Sequence, residues 1–379
     1  MTTTTERTEA PAARTGNPWA PTPRGVLLVT RIELMRRRPS TKGTIFYGVV
    51  VLGIITLGIL VSAFSNAEKD SVPLELVLVL VLGAGFLIAP SLSATSVNGD
   101  STEGVLAPLQ MTRLTPGDLA VGKVLASWAV AFAALLTTVP FLVYAYLRAG
   151  WHLDELLLVL AVILFEVLVA TTIGLAWSSL AARAVASVSL AHITTGALLL
   201  GTLLLFFFTQ PLVSESTTVT VHYIDYSQVD GDPFADPNVD PTTLPCVEQT
   251  QTYDVYHTEK TAWLLLLNPV VVVGESAPIV DPETYEEDGR AAPGLFAMMH
   301  QGVAGSRLGP QEQVPYDECS GAPYPDDPWM ERQQEQANLA RAPWLGLGVH
   351  ALIALGAMTI VIRRLRVPYT ILRAGSRVA

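Results

Sequence analysis

Apolar residues in this chain do not recur at the three- and four-residue spacing of a helix packed on one side. They gather instead in uncharged runs long enough to cross a bilayer. The clearest runs from Thr44 to Phe64, 21 residues without a charge. As a helix it would be roughly 31 Å long, against a hydrocarbon core of about 30 Å. Five more runs predict spans at about Leu74 to Thr95, Val124 to Leu147, Leu156 to Trp177, Ser187 to Thr209 and Trp344 to Ile362. Six spans put both termini on one side. The expected fold is an all-α integral membrane protein of six transmembrane helices. Residues 1–43 precede the spans, 44–209 hold five of them, 210–342 form a long insertion, and 343–379 carry the sixth and a tail.

The polar residues set the orientation. The first forty positions have no apolar core ahead of a cleavage site, so the first span must act as the insertion signal. Arg24, Arg31, Arg36, Arg37, Arg38 and Lys42 precede it, and Arg363, Arg364, Arg366, Arg373 and Arg377 follow the last span without an acid. Lys and Arg concentrate on cytoplasmic flanks, so both termini are expected inside a bacterial cell membrane. The insertion then falls outside. It holds 22 of the chain's 34 acidic residues against five basic ones, so its net charge is −17 and that of the remainder +6, behind an overall −11.

"DGDPFADPNVDP" in the insertion lacks the alternating acid spacing of a calcium loop and reads as solvated turns. Both cysteines, Cys246 and Cys319, lie there. Outside the cytoplasm a disulfide is the natural reading, with two free thiols as the alternative. "WLLLLNPVVVV", Trp263 to Val273, is about half the length of a span and reads as a re-entrant or interfacial segment, or the core of a small outer domain, broken at Asn268-Pro269. "GLFAMMHQGVAG" can pack beside it.

Glu166 stands mid-span, where a carboxylate is costly. Two readings compete: a proton, cation or substrate contact, and a carboxyl hydrogen-bonded to a neighbouring helix. His192 and His350 read as interfacial or helix-packing residues. "RGVLLVTRIELMRRRP" sets Val26, Val29, Ile32 and Leu34 among arginines, the pattern of a basic amphipathic helix on the inner surface, with Arg36, Arg37 and Arg38 as interface anchors. H-E-x-x-H and G-x-S-x-G motifs are absent from the sequence, so no enzyme is expected, nor a metal, a cofactor of its own or a nucleic-acid partner.

Gly117-x-x-x-x-Gly122-Lys123 falls one residue short of a phosphate-binding loop, because Val124 offers no hydroxyl for magnesium. Thr115 as N-cap, Pro116 at the first helical position and Asp118 in a capping box instead make this a helix start, with Lys123 anchored at the headgroups.

"NGDSTEGVLAPLQMTRLTPGDLAVGKVLASW" resembles the cytoplasmic loop of type-two ATP-binding-cassette (ABC) exporter permeases: an acidic residue (Asp100, Glu103), a turn (Gly104-Val105-Leu106), a "TPLS"-like segment (Thr112 to Pro116) and Gly122-Lys123, in that order. Val105 replaces the usual threonine, and Ala107 stands where an acid is common. The resemblance implies that residues 96–123 form a coupling loop seated on a separate ATPase subunit. It also implies that ATP and magnesium belong to that subunit, and that the chain pairs with itself or a paralogous permease among membrane lipids. The residues themselves agree: Asp100 can cap a short helix with Glu103 at its third position, and Leu106 and Leu109 then share an apolar face, with Arg113 beyond. The expected function is export, of a lipid, drug, peptide or glycan. The rivals are a membrane-anchored receptor or scaffold with an acidic outer domain, and a proton-driven secondary transporter using Glu166.

Overall fold

The computed structural model describes residues 19–36, 41–64, 70–225, 243–278, 294–310 and 338–366, with Asp317, Cys319, Glu335 and Gln336. Five of its helices are long and apolar enough to cross a membrane: Val72–Thr102, Pro116–Ala149, Leu153–Leu180, Ala184–Val213 and Pro343–Leu365. In order, α1 is Pro23–Arg36, α2 Thr41–Phe64, α3 Val72–Ser93, α4 Ser96–Thr102, α5 Leu106–Gln110, α6 Pro116–Leu135, α7 Val139–Ala149, α8 Leu153–Leu180, α9 Ala184–Gly196 and α10 Thr202–Thr209. α2 is a further helix of 24 residues, several of whose side chains lie outside the described residues.

Two of the long helices are locally irregular. Between α6 and α7 the chain tightens into a 3₁₀ turn at Leu136–Thr138. Pro140 follows, and it has no N–H to donate and crowds the carbonyl four residues back. Between α9 and α10, Ala197–Gly201 widens into a π-helical turn.

α3 and α8 form the buried centre, where Gly85 faces Val167 and Gly174 faces Ser93 and Pro90, so the backbones approach closely. α9 and α10 leave most of their apolar surface exposed, as does α13, Pro343–Leu365.

The insertion departs from the all-α expectation. β1, Ser214–Ile224, pairs antiparallel with β2, Cys246–Tyr256, in register from Ser214 opposite Tyr256 to Ile224 opposite Cys246. Thr and Val dominate β1, and their branched side chains suit a pleated ribbon. Cys246 and Cys319 are disulfide-bonded, so the free-thiol alternative is set aside. Next come a 3₁₀ segment at Ala262–Leu267, α11 at Pro269–Glu275 and α12 at Leu295–Leu308. The "DGDPFADPNVDP" stretch lies outside the described residues.

Candidate functional site

The capping box expected at Thr115 and Asp118 is formed, and it does more than start α6. Asp118 Oδ2 accepts from Thr115 N–H at 2.8 Å, while Oδ1 accepts from the backbone N–H of Thr22 at 2.5 Å and its hydroxyl at 3.0 Å. This one carboxylate ties the start of α1 to the start of α6. α1 buries Gly25, Val29 and Glu33, three residues spaced four apart on one face, against α6. Gly122 lets the helices approach: a Cβ there would sit 2.6 Å from Val29 Cβ. Gly117 backs onto Trp19 and Pro21. The two glycines of the near-signature thus lie at close packing contacts.

Lys123 corrects the sequence expectation. Its side chain is 0% exposed, not at the headgroups. The ammonium donates to Glu33 Oε1 and Asp100 Oδ2, both at 2.5 Å, and to the Ser96 carbonyl at 3.1 Å. Arg36 joins from α1, with Nη1 2.8 Å from Asp100 Oδ1 and Nη2 3.0 Å from Glu103 Oε2. Partial burial works against the guanidinium's charge, but its hydrogen bond to Asp100 and the charges of Asp100, Glu33 and Glu103 outweigh it and raise its pKa. A lysine is buried only when its charge is matched, and its four-carbon stem reaches from α6 to carboxylates on α1 and α4. Arg36 accordingly faces the loop. Arg37 and Arg38 lie outside the described residues.

Asp100 is not a helix cap. It sits inside α4, buried, and the α4–α5 turn is made by Gly104 at φ +71°. Leu106, expected on the docking face, is 1% exposed and packs with Val29, Val97 and Leu119. Leu109 is half-buried, whereas Met111 is 78% exposed beside exposed Thr112 and Arg113. Between α1 and this loop lies an open groove of about 700 Å³. Leu28, Ile32, Leu109 and Leu114 line it, with Arg24 and Arg113 alongside. Both ends of the described chain meet here: Gln110 Nε2 donates to the Leu365 carbonyl at 3.1 Å, and the Arg366 guanidinium stacks 3.9 Å from the Trp19 ring centre.

A second constellation lies deep among the long helices. Glu166 of α8 and His350 of α13 are both buried, with Oε2 2.5 Å from Nδ1. His350 Nε2 is 3.1 Å from the Leu267 carbonyl, which can only accept, so Nε2 carries a proton. A single further proton is then shared between Nδ1 and the carboxyl, and the pair is neutral wherever that proton sits. Next to Leu267, Asn268 is also fully buried. Its Oδ1 caps α11 through Val270 and Val271 N–H, while its Nδ2 donates to the Leu198 and Leu199 carbonyls and to Thr202 Oγ1. Those carbonyls belong to the π-helical turn, whose irregular pairing leaves acceptors to satisfy. The segment around Asn268 is therefore stitched to the π-helical turn, α10 and α13, and through His350 to α8. His192 packs helices as well, 3.0 Å from Ser91 Oγ of α3.

Among the described residues no group of three or more His, Cys, Asp or Glu is placed to hold a metal ion. No protein-family model matches the chain, and no curated protein matches it.

Proposed function

We propose that the chain is the membrane-spanning permease subunit of an ABC exporter, with six spans, both termini cytoplasmic, and the insertion outside. α2 is the first span. The carrying observation is the groove between α1 and the α4–α6 loop. It offers an apolar floor and two arginines on a part of the molecule braced by buried ion pairs, where a separate protein can push against the bundle. That partner is an ATPase, which binds ATP and magnesium itself. Gly117 and Gly122 pack against the α1 region and Lys123 is held by Glu33 and Asp100, so the residues of the near-signature are engaged within the chain, which supports this reading. Docking uses Leu109, Met111 and Arg113, while Leu106, Asp100 and Glu103 shape the loop from behind. A second copy or a paralogous permease covers the exposed apolar faces of α9, α10 and α13.

The receptor or scaffold reading draws on the disulfide-closed hairpin of the insertion. Purification of the full chain in mild detergent separates the two. The permease reading expects a stoichiometric polypeptide bearing its own phosphate-binding loop, and no ATP binding by the chain alone. A chain that purifies without such a partner from every membrane preparation, or that binds ATP unaided, contradicts it.

A further inference from the structure

At the end of the bundle opposite the groove, the segment around Asn268 and the start of α13 enclose a cavity of about 200 Å³. Its walls are almost wholly apolar, formed chiefly by Leu265, Val271, Val272, Val303 and Pro343. Gly346 lets α13 and α11 meet along one wall, since its backbone lies directly against Val272. A dry apolar cavity of this size attracts apolar ligands rather than water. At its edge stand Trp263 and Leu345, both 58% exposed, next to Trp344 at 71%. Exposed tryptophans at the end of an apolar helix are the pattern of a bilayer's headgroup boundary. The mouth of the cavity thus carries the residues that favour a bilayer's boundary.

Two charged groups touch it. Glu275 is consumed: its Oε1 lies 2.8 Å from His300 Nδ1, and its Oε2 accepts from Ala342 N–H at 3.3 Å. Arg307 has five N–H donors, and among the described residues one of them bonds, Nη1 to the Ala340 carbonyl at 3.2 Å. The balance at the mouth favours an anion.

We infer that this cavity seats one acyl chain of an anionic phospholipid from the leaflet on the insertion's side, with its headgroup met by Arg307. The site is independent of the ATPase groove. A bound chain fills the space between α11 and α13 one helical turn from His350, so the lipid packs the same junction that the Glu166–His350 pair closes.

The full-length protein in vesicles containing photoactivatable phosphatidylglycerol or phosphatidylcholine, each carrying the reactive group on one tail, tests this. Labelling should map to peptides around Leu265–Val272 and Leu345–Gly346. It should favour phosphatidylglycerol about fivefold, the effect of one basic side chain at a charged surface. Arg307→Gln should erase that preference, and Val272→Trp should remove wall labelling. Should Val272→Trp fail to fold, Leu345→Trp at the mouth carries the same arm. Equal labelling by both lipids in the unaltered protein, wall labelling that survives both tryptophan substitutions, or displacement of the label by a cross-linked second copy at Trp344 would each overturn the assignment.

Discussion

The ammonium of Lys123 lies 2.5 Å from a carboxylate oxygen of Asp100, a residue of the loop that precedes its own helix, with neither group open to solvent. Glu33 completes the arrangement from α1, so three separate elements share one buried charge. Breaking a buried pair by removing one partner costs about 3–5 kcal/mol, because the other charge is left stranded. Lys123→Ala should therefore lower the thermal unfolding midpoint of the detergent-purified chain markedly, and Lys123→Met with Glu33→Gln should recover part of the loss. A thermally neutral Lys123→Ala would return the lysine to the headgroups.

α1 is held to α6 by Asp118 and by close backbone contact at Gly122. Asp118→Asn keeps an acceptor for one neighbour and loses the other, at about 1–3 kcal/mol. Gly122→Val forces α1 off α6 at about the same cost. Both should speed tryptic cleavage at Arg24 and Arg31, whereas Gly99→Ala, where a Cβ would meet nothing within 4 Å, should leave it unchanged.

The tautomer of His350 makes a directional statement about Glu166. A glutamine amide can donate its N–H to Nδ1 or accept from it through Oε1, so Glu166→Gln should change stability by less than about 1 kcal/mol and keep transport. His350→Phe leaves both Glu166 and the Leu267 carbonyl without their partner and should cost about 1–3 kcal/mol. Loss of transport in a well-folded Glu166→Gln protein would make the shared proton part of the mechanism.

The Cys246–Cys319 bond closes a loop with a sequence separation of 73. The chain-entropy account gives such a closure about 4 kcal/mol. Non-reducing electrophoresis should show no free thiol until reduction. Cys246→Ser with Cys319→Ser should loosen the hairpin, measured by proteolysis in the insertion, while the apolar helices remain intact.

The apolar runs were legible because crossing a bilayer demands uninterrupted hydrophobic length, and the capping box because its residues are three positions apart. Glu166 and His350, each read alone, suggested a hydrogen-bonded carboxyl and a packing histidine. That they are partners depends on how α8 and α13 pack, 184 residues apart in sequence. Lys123 was misplaced for the same reason: a lysine near a span end looks like an anchor until Glu33, 90 residues earlier, is brought beside it. Leu106 reads as part of an exposed apolar face but is buried, because a five-residue helix carries too little periodicity to tell inside from outside. The Thr-Val alternation of β1 is present in the sequence, but one short alternating run inside a long acidic insertion is a weak strand signal until its partner strand is known.

Site-directed photo-cross-linking in native membranes tests whether an ATPase sits on the groove between α1 and the α4–α6 loop. A photoreactive residue in place of Met111 or Leu28 should cross-link to a polypeptide that mass spectrometry shows to carry a phosphate-binding loop. Adding Arg113→Glu should weaken the product, and the same probe at Leu355 of α13 should not form it. Equal cross-linking from Leu355, or none from Met111 and Leu28 while the chain still exports its substrate, would contradict the docking claim and the permease reading with it.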